Sequence, residues 1–131
     1  MRTVGDYMTR ATISIAGELS FDDALERMHA HRIRHLPVFE GEHLVGMVSQ
    51  RDLGMVGALE GVDPKRHAVR EAMSEKPYIV TPSTPVEEVV DKMISTKMGA
   101  AIVADGGKVA GIFTTIDALK VLKETLGSWR N

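Results

Sequence analysis

Apolar positions change their spacing in a fixed order along the chain. Thr12, Ile13, Ser14 and Ile15 alternate polar and apolar side chains, the period of a short strand, and Gly17 ends it. Phe21, Ala24, Leu25 and Met28 then fall at the i, i+3, i+4, i+7 spacing of one helix face. Ser20 stands before that face as its N-cap, and Asp23 three residues later completes a capping box with an acid in the first turn. Two apolar runs follow, His35 to Phe39 and His43 to Ser49, around Glu40-Gly41-Glu42, which predicts a β-hairpin. A further helix is expected from about Gln50 to Gly57. Ahead of all these, Val4 and Met8 stand four apart and suggest one helical turn.

The whole order then returns. A shift of 65 residues pairs Val4 with Val69, Met8 with Met73, Met28 with Met93, Val38 with Val103, Gly41 with Gly106, Gly46 with Gly111 and Asp52 with Asp117. The second copy reads as a strand within Pro77 to Val80, then a helix with Thr84 as N-cap, Pro85 at its first position and the face Val86, Val89, Val90, Met93. A hairpin over Ala100 to Thr114 turns at Asp105-Gly106-Gly107, and a last helix runs from about Thr115 to Leu126. The tail from Gly127, which carries the single tryptophan Trp129, is read as the end of that helix, and Trp129 as a packing contact. A repeat this long is a duplicated small domain, not a solenoid unit. The predicted class is α+β, with two units of strand, helix, strand, strand, helix. Unit 1 covers residues 1–57, a breaker-rich connector 58–68, and unit 2 with its tail 69–131. Halves of this size are marginal alone because small domains bury little surface, so a shared core about a pseudo-two-fold axis is expected.

Composition narrows the functions available. Lys plus Arg number 16 and Asp plus Glu 18, a net charge of −2 that gives no electrostatic drive toward nucleic acid. The absence of cysteine removes disulfides, thiolate metal sites and thiol nucleophiles. Met1 to Asp6 lacks the apolar core of a signal peptide and no stretch is long enough to cross a bilayer, so a cytoplasmic protein with no membrane partner is expected. His31 and His35 are four apart but carry no Glu motif, and cleft or surface histidines are the better account than a metal site. No nucleophile, base and orienting group stand in a recognisable arrangement, so no reaction is expected.

The chemistry concentrates in one repeated signature, Gly46-Met47-Val48-Ser49-Gln50-Arg51-Asp52 and Gly111-Ile112-Phe113-Thr114-Thr115-Ile116-Asp117. Ser or Thr with Asp three residues on, at a helix start, is a capping box, and this structural role is one account of both pairs. The other is a nucleotide site. A helix N-terminus favours a phosphate, the hydroxyl adds a hydrogen bond, and a carboxylate one turn in accepts from ribose hydroxyls. Arg51 adds a planar fork of donors for phosphate oxygens.

The element order, the duplication, this signature and Arg32-Ile33-Arg34-His35-Leu36-Pro37-Val38 before the first hairpin resemble a tandem pair of cystathionine-β-synthase (CBS) domains, from about Val4 to Leu126. The resemblance implies a stand-alone regulatory module with a cleft on each side that binds adenosine-containing ligands such as AMP, ADP, ATP, NAD or S-adenosylmethionine, with no required cofactor. It implies that Asp52 and Asp117 hold ribose hydroxyls and that Ser49, Arg51 and Thr114 lie at phosphates. Thr12, Ile15, Tyr78 and Val80 would flank the adenine, together with Leu36, Pro37 and Ala101. It also implies a homodimer formed through exposed helices and an unidentified effector protein. Replacing either aspartate should then weaken binding with little loss of fold. A purely structural interaction module is the alternative. The copies differ: Arg34, His35, Pro37 and Arg51 of the first are Gly99, Ala100, Ile102 and Ile116 in the second. The copy with Arg51 is expected to be the stronger phosphate site, while the cleft that Arg34 and His35 face stays open.

Overall fold

A computed structural model describes residues 1–10 and 13–129. Its elements follow in the order α1 (Val4–Tyr7), β1 (Ile15–Ala16), α2 (Phe21–His31), β2 (His35–Glu40), β3 (His43–Ser49), α3 (Gln50–Gly57), a single 3-10 turn at Val69–Glu71, β4 (Ile79–Val80), α4 (Val86–Thr96), β5 (Ala100–Asp105), β6 (Lys108–Thr114) and α5 (Thr115–Trp129). They make two three-stranded sheets, β1-β2-β3 and β4-β5-β6, and the α+β class expected from the repeat is the one observed. In each, the short first strand runs parallel to the second and the hairpin is antiparallel. The ladder of each hairpin shifts at matching places, Val38/Phe39 and Val103/Ala104.

Local chemistry accounts for most boundaries. The Ser20 hydroxyl accepts the Asp23 N–H at 3.1 Å and an Asp23 oxygen accepts the Ser20 N–H at 3.3 Å, which closes the predicted capping box of α2. Gly106 and Gly107 both take positive φ, +58° and +82°, as a two-residue hairpin turn between β5 and β6 requires. The start of α4 differs from the expectation. Thr84 accepts the Thr81 N–H at 3.1 Å instead of capping the helix, and Pro85 occupies the N-cap. The chain there is held as an extended edge, because Val4 donates to the Thr84 carbonyl and Val86 donates to Arg2. At the other end α5 continues through Gly127 and Ser128 to Trp129, whose side chain is exposed, so the tail does not end the helix at Leu126.

Contacts divide the chain differently from the repeat. One compact unit comprises Ile13–Pro77, and the other joins the N-terminal segment to the chain from Tyr78 onward. In the first, Ile15, Phe21, Ala24, Met28, Leu36, Val38, Val48 and Leu53 pack with Val69 and Ala72 of the 3-10 turn. In the second, Val4 of α1 is fully buried among Val80, Val86, Val89, Met93, Ala101, Val103 and Phe113. The helical turn that opens each repeat thus lies in the unit built around the other repeat's hairpin. Each is fastened to a hairpin edge by paired backbone hydrogen bonds, Ser74 with Met47 at 2.8 and 3.1 Å, and Thr9 with Ile112 at 2.9 Å in both directions.

Candidate functional site

Both copies of the signature begin with a glycine for a steric reason. A Cβ on Gly46 would collide with the Ser74 carbonyl oxygen and stand 2.8 Å from Met73 Sδ. A Cβ on Gly111 would stand 2.5 Å from the Thr9 carbonyl oxygen and 2.9 Å from Met8 Sδ. The bare backbone lets the edge segment close on the strand that delivers Ser49 or Thr114 to its helix.

In the Ile13–Pro77 unit, His35 opens β2 directly opposite Ser49, the last residue of β3. The Gln50 N–H donates to the Arg34 carbonyl at 2.9 Å, which ties the approach to β2 to the first turn of α3. The Ser49 hydroxyl accepts the Asp52 N–H at 3.0 Å, so half of the capping box forms. The other half does not: among the described residues nothing donates to the half-buried Asp52 carboxylate. Arg34 and Arg51 are exposed and have no ion pair or hydrogen-bonding side-chain partner among the described residues. His35 is half-buried, and burial pushes its pKa below the ordinary 6.5, against an upward pull from Asp52 and with a further downward push from Arg34. The structure therefore brings Ser49 and His35 to the turn that carries the open Asp52 carboxylate, with Asp52 and Arg34 both within electrostatic reach of His35.

The matching carboxylate in the other unit is closed. Asp117 is fully buried. Its Oδ2 accepts the Thr114 N–H at 2.9 Å and the Thr114 hydroxyl at 3.2 Å, its Oδ1 accepts the Thr9 hydroxyl at 3.1 Å, and Lys120 Nζ stands 3.5 Å from Oδ1. Thr9 and Lys120 are neighbours of Asp117 that the motif alone did not reveal. The signal for Lys120 was its i+3 spacing from Asp117; Thr9 is remote in sequence and matches Ser74, whose hydroxyl does not reach Asp52.

Most of the residues expected around an adenine lie in the two cores. Ile15, Leu36 and Pro37 are buried, as are Val80 and Ala101, and Ile15, Leu36, Val80 and Ala101 belong to the two cores. Tyr78 is half-buried against its core, with its carbonyl accepting the Ile102 N–H at 2.8 Å and Lys92 Nζ lying 5.9 Å from the ring centroid. Burial, and secondarily Glu88, raises its pKa. Thr12 lies outside the described residues. Among the described residues no three His, Asp or Glu side chains form a metal-binding group, and no helix is long and apolar enough to cross a membrane.

Known proteins resemble this chain in sequence and in fold. The chain is 31% identical over 117 residues, 89% of its length, to a zinc metalloprotease of Methanocaldococcus jannaschii, and spans 31% of that protein. It superposes on CBSX2 in complex with AMP with a TM-score of 0.80, 29% identity and coverage of 95% of this chain and 98% of that one. It superposes on the CBS domain pair of protein MJ0100, in complex with 5′-methylthioadenosine and S-adenosyl-L-methionine, with a TM-score of 0.85, 24% identity and coverage of 95% and 98%, a likeness of fold. The CBS domain model matches residues 4–53 and 69–124, so the chain belongs to the CBS domain family as a tandem pair.

Proposed function

We propose that the chain is a regulatory module that binds one adenosine-containing ligand at the Asp52 half-site and passes the signal on by altered association. The observation that carries this reading is the Asp52 carboxylate, half-buried beside Ser49 and His35 and without a donor among the described residues. Two ribose hydroxyls would supply the missing donors, while Arg34 and Arg51 supply charge for a phosphate. The AMP complex of CBSX2 supports the ligand class. The Asp117 contacts favour the structural reading for the second copy, since its carboxylate already has the donors that a ribose would offer.

In this reading the protein carries out no reaction, needs no cofactor and works in the cytoplasm. Its partners are the adenosyl ligand, a second copy and an effector protein. The candidate face for the second copy is α5, where Ile116, Leu119, Leu122 and Leu126 are 59, 53, 50 and 44% exposed. Signalling requires the ligand to bind two association states with different affinity. Calorimetric titration with AMP, ADP, ATP, NAD and S-adenosylmethionine tests the proposal. Binding of at least one ligand to the natural protein, lost in Asp52→Ala, is expected; the absence of heat with all five would sink it.

A further inference from the structure

We infer that α5 is the docking site for an amphipathic helix of the effector protein, one that sets an acidic side chain against Lys123; this rests on the proposed function only for the existence of an effector. Leu119, Leu122, Leu126 and Trp129 recur at alternating steps of three and four along the exposed side of the helix. That is the period of a seam between paired helices, with Leu119 and Leu126 at a positions and Leu122 and Trp129 at d. An open cavity of about 360 Å³ on this face is lined by Leu119, Leu122, Lys123, Leu126 and Gly127. The first four stand at the i, i+3, i+4 and i+7 positions that make the hole for one knob of a facing helix. Gly127 keeps one wall of it low, since a Cβ there would meet nothing within 4 Å. The face therefore fits a helix that carries a large apolar side chain.

Charge decides between a second copy and another protein. Lys123 is the e position of that hole, exposed, and has no ion-pair partner among the described residues. A second α5 offers it no acid. In a parallel pair e faces g, which is Ala118 or Thr125; in an antiparallel pair e faces e, which is Lys123 again. The two acids of α5 lie away from the seam and are taken within the unit. Asp117 is fully buried and accepts from Thr114 and Thr9, while Glu124 accepts the Tyr7 hydroxyl at 2.9 Å with Arg2 Nε at 3.8 Å. A second copy thus covers the leucines and leaves the ammonium unpaired, whereas a helix with Glu or Asp at its own e or g position satisfies both. The effector helix displaces the second copy from this face, which gives the altered association a chemical basis.

The test titrates the natural protein with two synthetic peptides and follows the emission of Trp129, the single tryptophan, which sits on the seam. Both peptides are about three heptads long with Leu at a and d; one carries Glu at every e and g and the other Lys, so neither pairs with itself. The Glu peptide should bind with a blue shift, about tenfold or more tighter than the Lys peptide, and its affinity should fall as salt rises. Lys123→Glu should reverse that preference. Lys108→Glu, an equal change of net charge at the start of β6, should leave it as it was. Equal affinity for the two peptides, or a preference for the Glu peptide that survives in Lys123→Glu, overturns the inference. So does a dimer in light scattering that neither peptide dissociates, which assigns the face to the second copy. A single-chain protein that binds neither peptide overturns it as well. Calorimetric titration of the same preparation with nucleotides reads the Asp52 proposal separately, so either can fail alone.

Discussion

Asp52→Ala and Asp117→Ala change the same residue of the same motif, and the structure predicts unequal losses of stability. Asp117 is fully buried and accepts the Thr114 N–H at 2.9 Å, so its removal strands a part-buried donor and opens the cap of α5. A hydrogen bond to a charged acceptor contributes about 1.5–3 kcal/mol and a cap about 1 kcal/mol. The Thr9 hydroxyl can turn to water and Lys120 is 63% exposed, so neither adds much. The loss is about 3 kcal/mol. Asp52 accepts nothing among the described residues, and the Ser49 cap uses only its backbone N–H, so Asp52→Ala forfeits the dipole interaction alone, below about 1 kcal/mol. At about 4 °C per kcal/mol for a domain of this size, the two midpoints separate by about 8 °C. Thermal unfolding of both variants, followed by circular dichroism, measures this gap directly. Equal midpoints would refute the distinction between an open and a closed carboxylate. The family resemblance implies that either replacement leaves the fold almost untouched; the contacts of Asp117 predict this outcome for Asp52→Ala and a larger loss for Asp117→Ala.

Further outcomes follow from neighbouring features. Gly46→Ala and Gly111→Ala should each lower stability by about 1–3 kcal/mol in urea titrations, because the new methyl meets a backbone carbonyl, whereas Gly54→Ala, with nothing within 4 Å, should be neutral or stabilising. The depressed pKa of His35 means that the unfolded chain takes up the proton more readily. Its contribution to stability is thus present above pH 6.5 and lost as the pH falls through the folded value; unfolding midpoints between pH 5 and 8 should show this slope, flattened in His35→Gln. Leu122→Asp on the exposed face of α5 should reduce the mass measured by light scattering, and a single-chain mass for the natural protein would remove the second copy as partner.

Much of the fold was readable because local signals agreed with one another. Ser20 with Asp23 placed the start of α2, glycines placed both hairpin turns, and the 65-residue offset tied the two halves together. Thr84 misled, since a good capping residue can be recruited by another partner, here the N–H of Thr81. The candidate site was legible in residue type but not in environment. Ser49 with Asp52 and Thr114 with Asp117 read alike, yet what separates them is Thr9, which reaches Asp117 from the far end of the chain. Arg32 read as part of a family pattern; its left-handed backbone depends on how α2 ends.

The division of the chain into its compact units has a consequence for synthesis. Ile13–Pro77 contains both sides of the Met47–Ser74 pairing, so that hairpin edge can be covered once Pro77 has left the ribosome. Residues 1–10 are made before that unit, yet Thr9 pairs with Ile112 and Val4 packs on Phe113 and its neighbours, which are made after it. The segment that carries Val4 and Thr9 therefore waits while residues 13–77 are made, and a chain that stalls before Ile112 would leave it exposed to proteases and chaperones.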